Sequence, residues 1–154
     1  MISEAVIERI RKTADRYPER RAALIPALTI LQDELGHLSL DTVRSVAEEL
    51  NVPAPEAFGA ASFYSLFRWK PSGRHVIHVC HNLSCSLLGA ETLLDHLGKK
   101  LGVPEGQATA DGRFSFERIE CIGRCDGAPS MLVGKDSYDN LTPGKIDEIL
   151  QQYT

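Results

Sequence analysis

The chain is 154 residues long, 43% hydrophobic and 25% charged, with a net charge of −4; these values are ordinary for a folded globular protein. Nine basic residues face ten acidic ones up to Lys70, and eight face eleven after it, so neither half carries the basic footprint of a nucleic-acid binder. No apolar run reaches the ~18 residues of a membrane span, and the opening MISEAVIERI lacks the layout of a signal or transit peptide; a cytoplasmic protein is expected.

The first 70 residues read as helices. Val6, Ile7, Ile10 and Ala14 follow a helical period from a start at Ser3, and Tyr17-Pro18 stops it. Leu24, Leu28, Leu31 and Leu35 make a second stripe that ends at Gly36, a favourable C-terminal stop. Pro26 either lies in the first turn of that helix or kinks it. Ser39 is the N-cap of a third helix, with Val43, Val46, Ala47 and Leu50 on one face. Pro55-Glu56 opens a fourth, which runs towards Phe67. Phe58, Phe63, Tyr64, Phe67 and Trp69 are half of the chain's ten aromatic residues; core packing of the helical region accounts for them, with partner docking as the alternative.

Lys70-Pro71-Ser72-Gly73 reads as a hinge, after which the pattern changes. His75-Val76-Ile77-His78-Val79 alternates as a strand does, with its histidines either on a polar face or as hydrogen-bonded neighbours. A helix follows from about Ser86 to Leu101, with Leu87, Leu88, Leu94 and Leu97 as its apolar residues. Phe114, Phe116 and Ile119 predict a second strand, Met131-Leu132-Val133 a third, Lys135-Asp136-Ser137 a turn, and Leu141-Thr142-Pro143-Gly144 the start of a last helix. The fold class is α+β: a helical domain over 1–70, then β-α-β-β-α over 74–154, a layout open to a thioredoxin-like lobe.

All four cysteines lie in the second half as C-x4-C (Cys80, Cys85) and C-x3-C (Cys121, Cys125), each pair directly after a predicted strand. Clustered cysteines in a cytosolic chain point to metal before disulfides. Loops leaving the same end of neighbouring strands can bring four thiolates to one centre, either an iron–sulfur cluster or a tetrahedral zinc. The spacings are wider than a zinc knuckle's, and Ser84, Ser86, Gly123, Gly127 and Ala128 are small enough to let backbone N–H groups approach anionic sulfur; both details favour the cluster. A helix N-terminus just after Cys85 would help to hold it. Dithiol exchange would prefer C-x-x-C, which is absent, and His81 reads as a hydrogen-bonding neighbour rather than a ligand.

The cysteine segments "CHNLSCSLLGAETL" and "ADGRFSFERIECIGRCDGAPSMLV", with "LQDELGHLS", "AASFYSLFRWKPSGRHVIHVC" and "YDNLTPGKIDEIL", resemble the 24 kDa-type thioredoxin-like [2Fe–2S] subunit of NADH dehydrogenases and related enzymes. The resemblance spans nearly the whole chain, and the cysteine spacings are its specific part. It implies a helical bundle followed by a thioredoxin-like [2Fe–2S] ferredoxin lobe, with Cys80, Cys85, Cys121 and Cys125 as the iron ligands. It also implies a partner, the 51 kDa-type flavoprotein subunit that carries FMN and binds NADH. The expected function is one-electron exchange with that flavin inside an NADH:quinone oxidoreductase (complex I, with this subunit peripheral to the membrane), or inside an NAD-linked hydrogenase or formate dehydrogenase. The chain has no G-x-G-x-x-G and no P-loop, so the isolated chain is not expected to oxidise NADH. The rival from another class is a zinc-stabilised interaction module. Arg124, where the resembling family often has a small residue, is expected either to raise the cluster's potential or to pair with Asp126 or with the partner subunit.

Overall fold

Among residues 2–154, which the computed structural model describes, the helical signals of the first half become α1 (Glu4–Ala14), α2 (Leu24–Leu35), α3 (Leu40–Leu50) and α4 (Ala54–Phe63). Pro26 falls in the first turn of α2, where its missing N–H breaks no helical bond. Gly36 closes α2 at φ +79°. Ser39 and Thr42 form a reciprocal capping box at α3, each side-chain oxygen accepting from the other's backbone N–H. A 3-10 turn over Arg20–Ala23, which no sequence signal marks, leads into α2. One face of each helix meets in a single core that includes Ile10, Leu28, Leu31, Val43, Val46 and Ala57.

Helix α4 ends at Phe63, four residues short of the expected end. The cause is Gln32, a largely buried side chain of α2: its amide donates to the Leu66 carbonyl at 2.9 Å and its carbonyl accepts from Arg68 N–H at 2.7 Å. Leu38 N–H also donates to the Arg68 carbonyl. These bonds hold 66–68 outside the helix. The aromatic group is accordingly divided. Phe67 is buried, Phe58 and Trp69 stack with centroids 6.5 Å apart, but Phe63 is 80% exposed.

The chain divides into two compact units, one ending at Pro71 and the other starting at Ser72. The second contains β1 (His75–Cys80), α5 (Leu83–Leu87), α6 (Ala90–Leu101), β2 (Phe114–Ile119), β3 (Met131–Val133), β4 (Asp136–Tyr138) and α7 (Pro143–Leu150). The sheet order is β2-β1-β3-β4, with β1 parallel to β2 and the other pairs antiparallel. Ile77, Val79, Phe114 and Phe116 pack with Leu93, Leu94 and Leu97 of α6 and Ile146 and Ile149 of α7. Gly73 is not a free hinge residue: a Cβ there would lie 2.2 Å from the Phe114 carbonyl carbon, and its N–H donates to Ser115 Oγ.

Two further expectations are corrected. The helix placed at Ser86–Leu101 is two helices, because Gly89 at φ +99° breaks the run; the reset in phase leaves Leu87 and Leu88 exposed and buries Leu93 instead. The turn placed at 135–137 is shorter. Gly134 at φ +60° turns the chain in two residues, and Asp136–Tyr138 pairs back on β3 as β4.

Candidate metal centre

Three segments meet at the C-terminal end of β1. Cys80 is its last residue, opposite Ile119 in the parallel ladder, and His81 N–H continues the pairing to the Ile119 carbonyl at 3.0 Å. Cys121 therefore lies two residues beyond β2 at the same end. On the other side of β1, the Cys80 N–H donates to the Ser130 carbonyl at 3.0 Å, just before antiparallel β3 begins. The Cys121–Ser130 segment thus leaves one neighbour of β1 and arrives at the other. Parallel β1 and β2 with antiparallel β3 place both cysteine loops at one end of the sheet.

The two pairs differ in environment. Cys80 and Cys85 are buried, whereas Cys121 and Cys125 are exposed. Cys85 sits inside α5, whose N-cap is Asn82, so the helix begins before this cysteine and not after it, as expected from the sequence. Its Sγ lies 3.6 Å from Ser130 Oγ, and the Cys80 thiol donates to the Glu120 carbonyl at 3.3 Å. In the other loop the Gly123 N–H donates to Cys121 Sγ at 3.4 Å, with Gly123 at φ +75° in open space. Cys125 opens a 3-10 turn that ends at Gly127.

Among the described residues, no three His, Cys, Asp or Glu side chains are gathered closely enough to hold a metal ion. The backbone brings the four thiols to one end of the sheet, and their side chains are not drawn together there. Their chemistry fits an iron–sulfur cluster: four free thiols, a backbone N–H already directed at one sulfur and a hydroxyl beside another. Metal and thiolate order such loops together, since ligand deprotonation and folding are linked to binding.

The side chains around the cysteines bear on the other expectations. Arg124 pairs with Asp139 rather than Asp126: its Nε donates to Oδ1 at 3.0 Å and Nη2 contacts Oδ2. That bond holds the Asp139 carboxyl below its ordinary range, while Asp126 adds only a lesser pull on Arg124. His81 lies 3.7 Å from Glu91, which also pairs with Arg118. Of the two readings for His78, a polar face or a satisfied neighbour, the structure has the second: it is buried, with Nε2 bonded to Glu117 at 2.9 Å. Sequence reasoning missed Ser130 and Asp139; Ser130 was signalled only by its place directly after the Gly127-Ala128-Pro129 segment beyond Cys125, and Asp139 by no local pattern.

The thioredoxin-like [2Fe–2S] ferredoxin family model matches residues 10–154. The chain is 42% identical to an NADH-quinone oxidoreductase subunit of Rhizobium meliloti (strain 1021), over 95% of this chain and 87% of that one. It is 38% identical to the corresponding NADH-quinone oxidoreductase subunit of Escherichia coli (strain K12), over 99% and 92%. An NAD+-reducing [NiFe]-hydrogenase crystal structure in the air-oxidized state superposes with a TM-score of 0.70 at 26% identity; the match covers 88% of this chain and 24% of the hydrogenase chain. On these grounds the chain belongs to the thioredoxin-like [2Fe–2S] ferredoxin family.

Proposed function

We propose that Cys80, Cys85, Cys121 and Cys125 hold the [2Fe–2S] cluster, and that the chain is an electron-transfer subunit of an NADH-oxidising complex. Its exchange partner is the FMN of an NADH-binding flavoprotein subunit. The observation that carries this reading is the pair of thiol loops, C-x4-C and C-x3-C, on the ends of two adjacent parallel strands. When bound, a [2Fe–2S] cluster supplies one-electron capacity without hydride chemistry. The chain's own contribution is to present four thiolates and to soften their charge: the Gly123 N–H faces Cys121 and the Ser130 hydroxyl faces Cys85. Hydride transfer belongs to the partner, since the sequence has no nucleotide-binding fingerprint.

The identities to NADH-quinone oxidoreductase subunits from two bacteria support that complex as the host. A second reading, an NAD-linked hydrogenase assembly, is favoured by the superposition on the NAD+-reducing hydrogenase. Both give the chain the same task. Purified chain should be brown, with two irons and two acid-labile sulfides and no stoichiometric zinc. A colourless protein with one zinc would establish the interaction module instead. The isolated chain should neither bind nor oxidise NADH, and NADH should reduce the cluster only after the flavoprotein subunit is added. NADH binding by the isolated chain would overturn the division of labour.

A further inference from the structure

Resting on that ligand assignment, we propose that Arg124 and Asp139 form a latch that clamps the Cys121–Cys125 loop onto the connection between β4 and α7 and so positions Cys125 for the cluster. Isolated exposed ion pairs contribute little. This pair is different in two respects. The guanidinium engages both carboxylate oxygens, a planar match that fixes orientation as well as distance. It is also the outermost of a series of links between the same two segments. Asn140 N–H donates to the Gly127 carbonyl at 2.6 Å, and Leu141 N–H donates to the Pro129 carbonyl at 3.0 Å.

The approach between the segments is as close as it can be. A Cβ on Gly127 would lie 2.5 Å from Asp139 Cβ, so only glycine permits it. Lys145 Nζ donates to the Asp139 carbonyl at 2.6 Å, which braces the acceptor from the side of α7. Thr142 caps that helix by accepting from Lys145 N–H. Position 139 is thus fixed by regular structure, and position 124 is fixed by position 139. Cys125, the next residue, is exposed and lies in no α-helix or strand, so this anchorage sets where its sulfur points. Arg124 and Asp139 are positioning residues, acting through the backbone of Cys125.

The test uses the full chain loaded with its cluster, in unaltered form and as Asp139→Asn, Arg124→Gln and Arg124→Lys. Two quantities are measured: the rate of iron release to an added chelator, and the low-temperature electron paramagnetic resonance spectrum of the reduced cluster. Asp139→Asn and Arg124→Gln should each release iron several-fold faster and alter the shape of the spectrum, which a change in general stability alone would not do. Arg124→Lys, which keeps the charge without the fork, should fall between. A salt series on the unaltered chain needs no substitution to fold: iron release should quicken as salt screens the pair, and in Asp139→Asn it should not. A chain that takes up no iron sinks the ligand assignment and the latch with it. A chain that holds iron, releases it at one rate in every variant and at every salt concentration, and keeps one spectrum, sinks the latch alone.

Discussion

The two cysteine loops reach the same end of one sheet by different means. The first is built from regular structure: Cys80 is the last residue of β1, Cys85 is inside α5, and both are buried. The second crosses from β2 to β3 with a single 3-10 turn, and its cysteines are exposed. Burial and the ladder hold the first loop. Polar contacts to a distant segment hold the second. The difference teaches that thiols proposed as equal ligands need not be equally anchored, and that the more exposed loop depends on contacts from side chains outside the proposed ligand set.

The largest effect should come from the proposed ligands themselves. Cys85→Ser and Cys121→Ser should each lose most of the iron, since removing one thiolate opens the coordination. Only Cys85→Ser should also weaken the metal-free chain, by about 1–2 kcal/mol, because it replaces a buried thiol with a smaller, more polar hydroxyl that must be desolvated and bonded. Iron analysis with thermal melts of the metal-free proteins reads both. Equal melting of the two variants would break the contrast between the loops.

Glycine substitutions should come next, and they divide the second loop internally. Gly127→Ala forces a methyl group against Asp139 at 2.5 Å and should cost about 1–3 kcal/mol, as overpacking does. Gly123→Ala meets nothing within 4 Å, and its φ of +75° is the whole penalty, about 1 kcal/mol. Denaturant midpoints measure both. If Gly123→Ala proved the more harmful, conformational strain and not close packing would control this loop.

The same contrast explains what was legible beforehand. Periodicity located the helices, because Val43, Val46, Ala47 and Leu50 must share a face to reach one core. Cysteine spacing located both loops, because ligand chemistry constrains neighbours along the chain. The end of α4 was missed because Gln32, 34 residues before Leu66, decides it by a long-range hydrogen bond. The break at Gly89 was readable as a glycine within a helical pattern, yet the run of leucines around it outweighed that signal. Gly134 between Val133 and Asp136 is likewise a hairpin signal, masked by the turn-forming residues that follow it. Asp139 had none, because its partner is 15 residues away and no local pattern joins them.

The smallest expected effect concerns the first loop. Ser130 is fully buried; its carbonyl accepts from Cys80 N–H, and its hydroxyl lies 3.6 Å from Cys85 Sγ. A ligating sulfur carries no proton, so the hydroxyl must be the donor of that contact once the cluster is held. Reduction adds negative charge to the sulfurs and strengthens such a bond, and hydrogen bonds to sulfur are among the features that set cluster potentials. Ser130→Ala removes the donor but leaves the backbone bond to Cys80 in place, so the geometry of β1 should survive. If the bond is stronger by about 1 kcal/mol in the reduced state, its loss lowers the midpoint potential by roughly 40 mV for one electron. Iron content should be unchanged, and Ser130→Thr, which keeps the hydroxyl, should restore most of the potential. A redox titration followed by electron paramagnetic resonance reads the shift. A potential that stays fixed or rises in Ser130→Ala would mean that the buried loop holds its thiolates by burial and backbone alone.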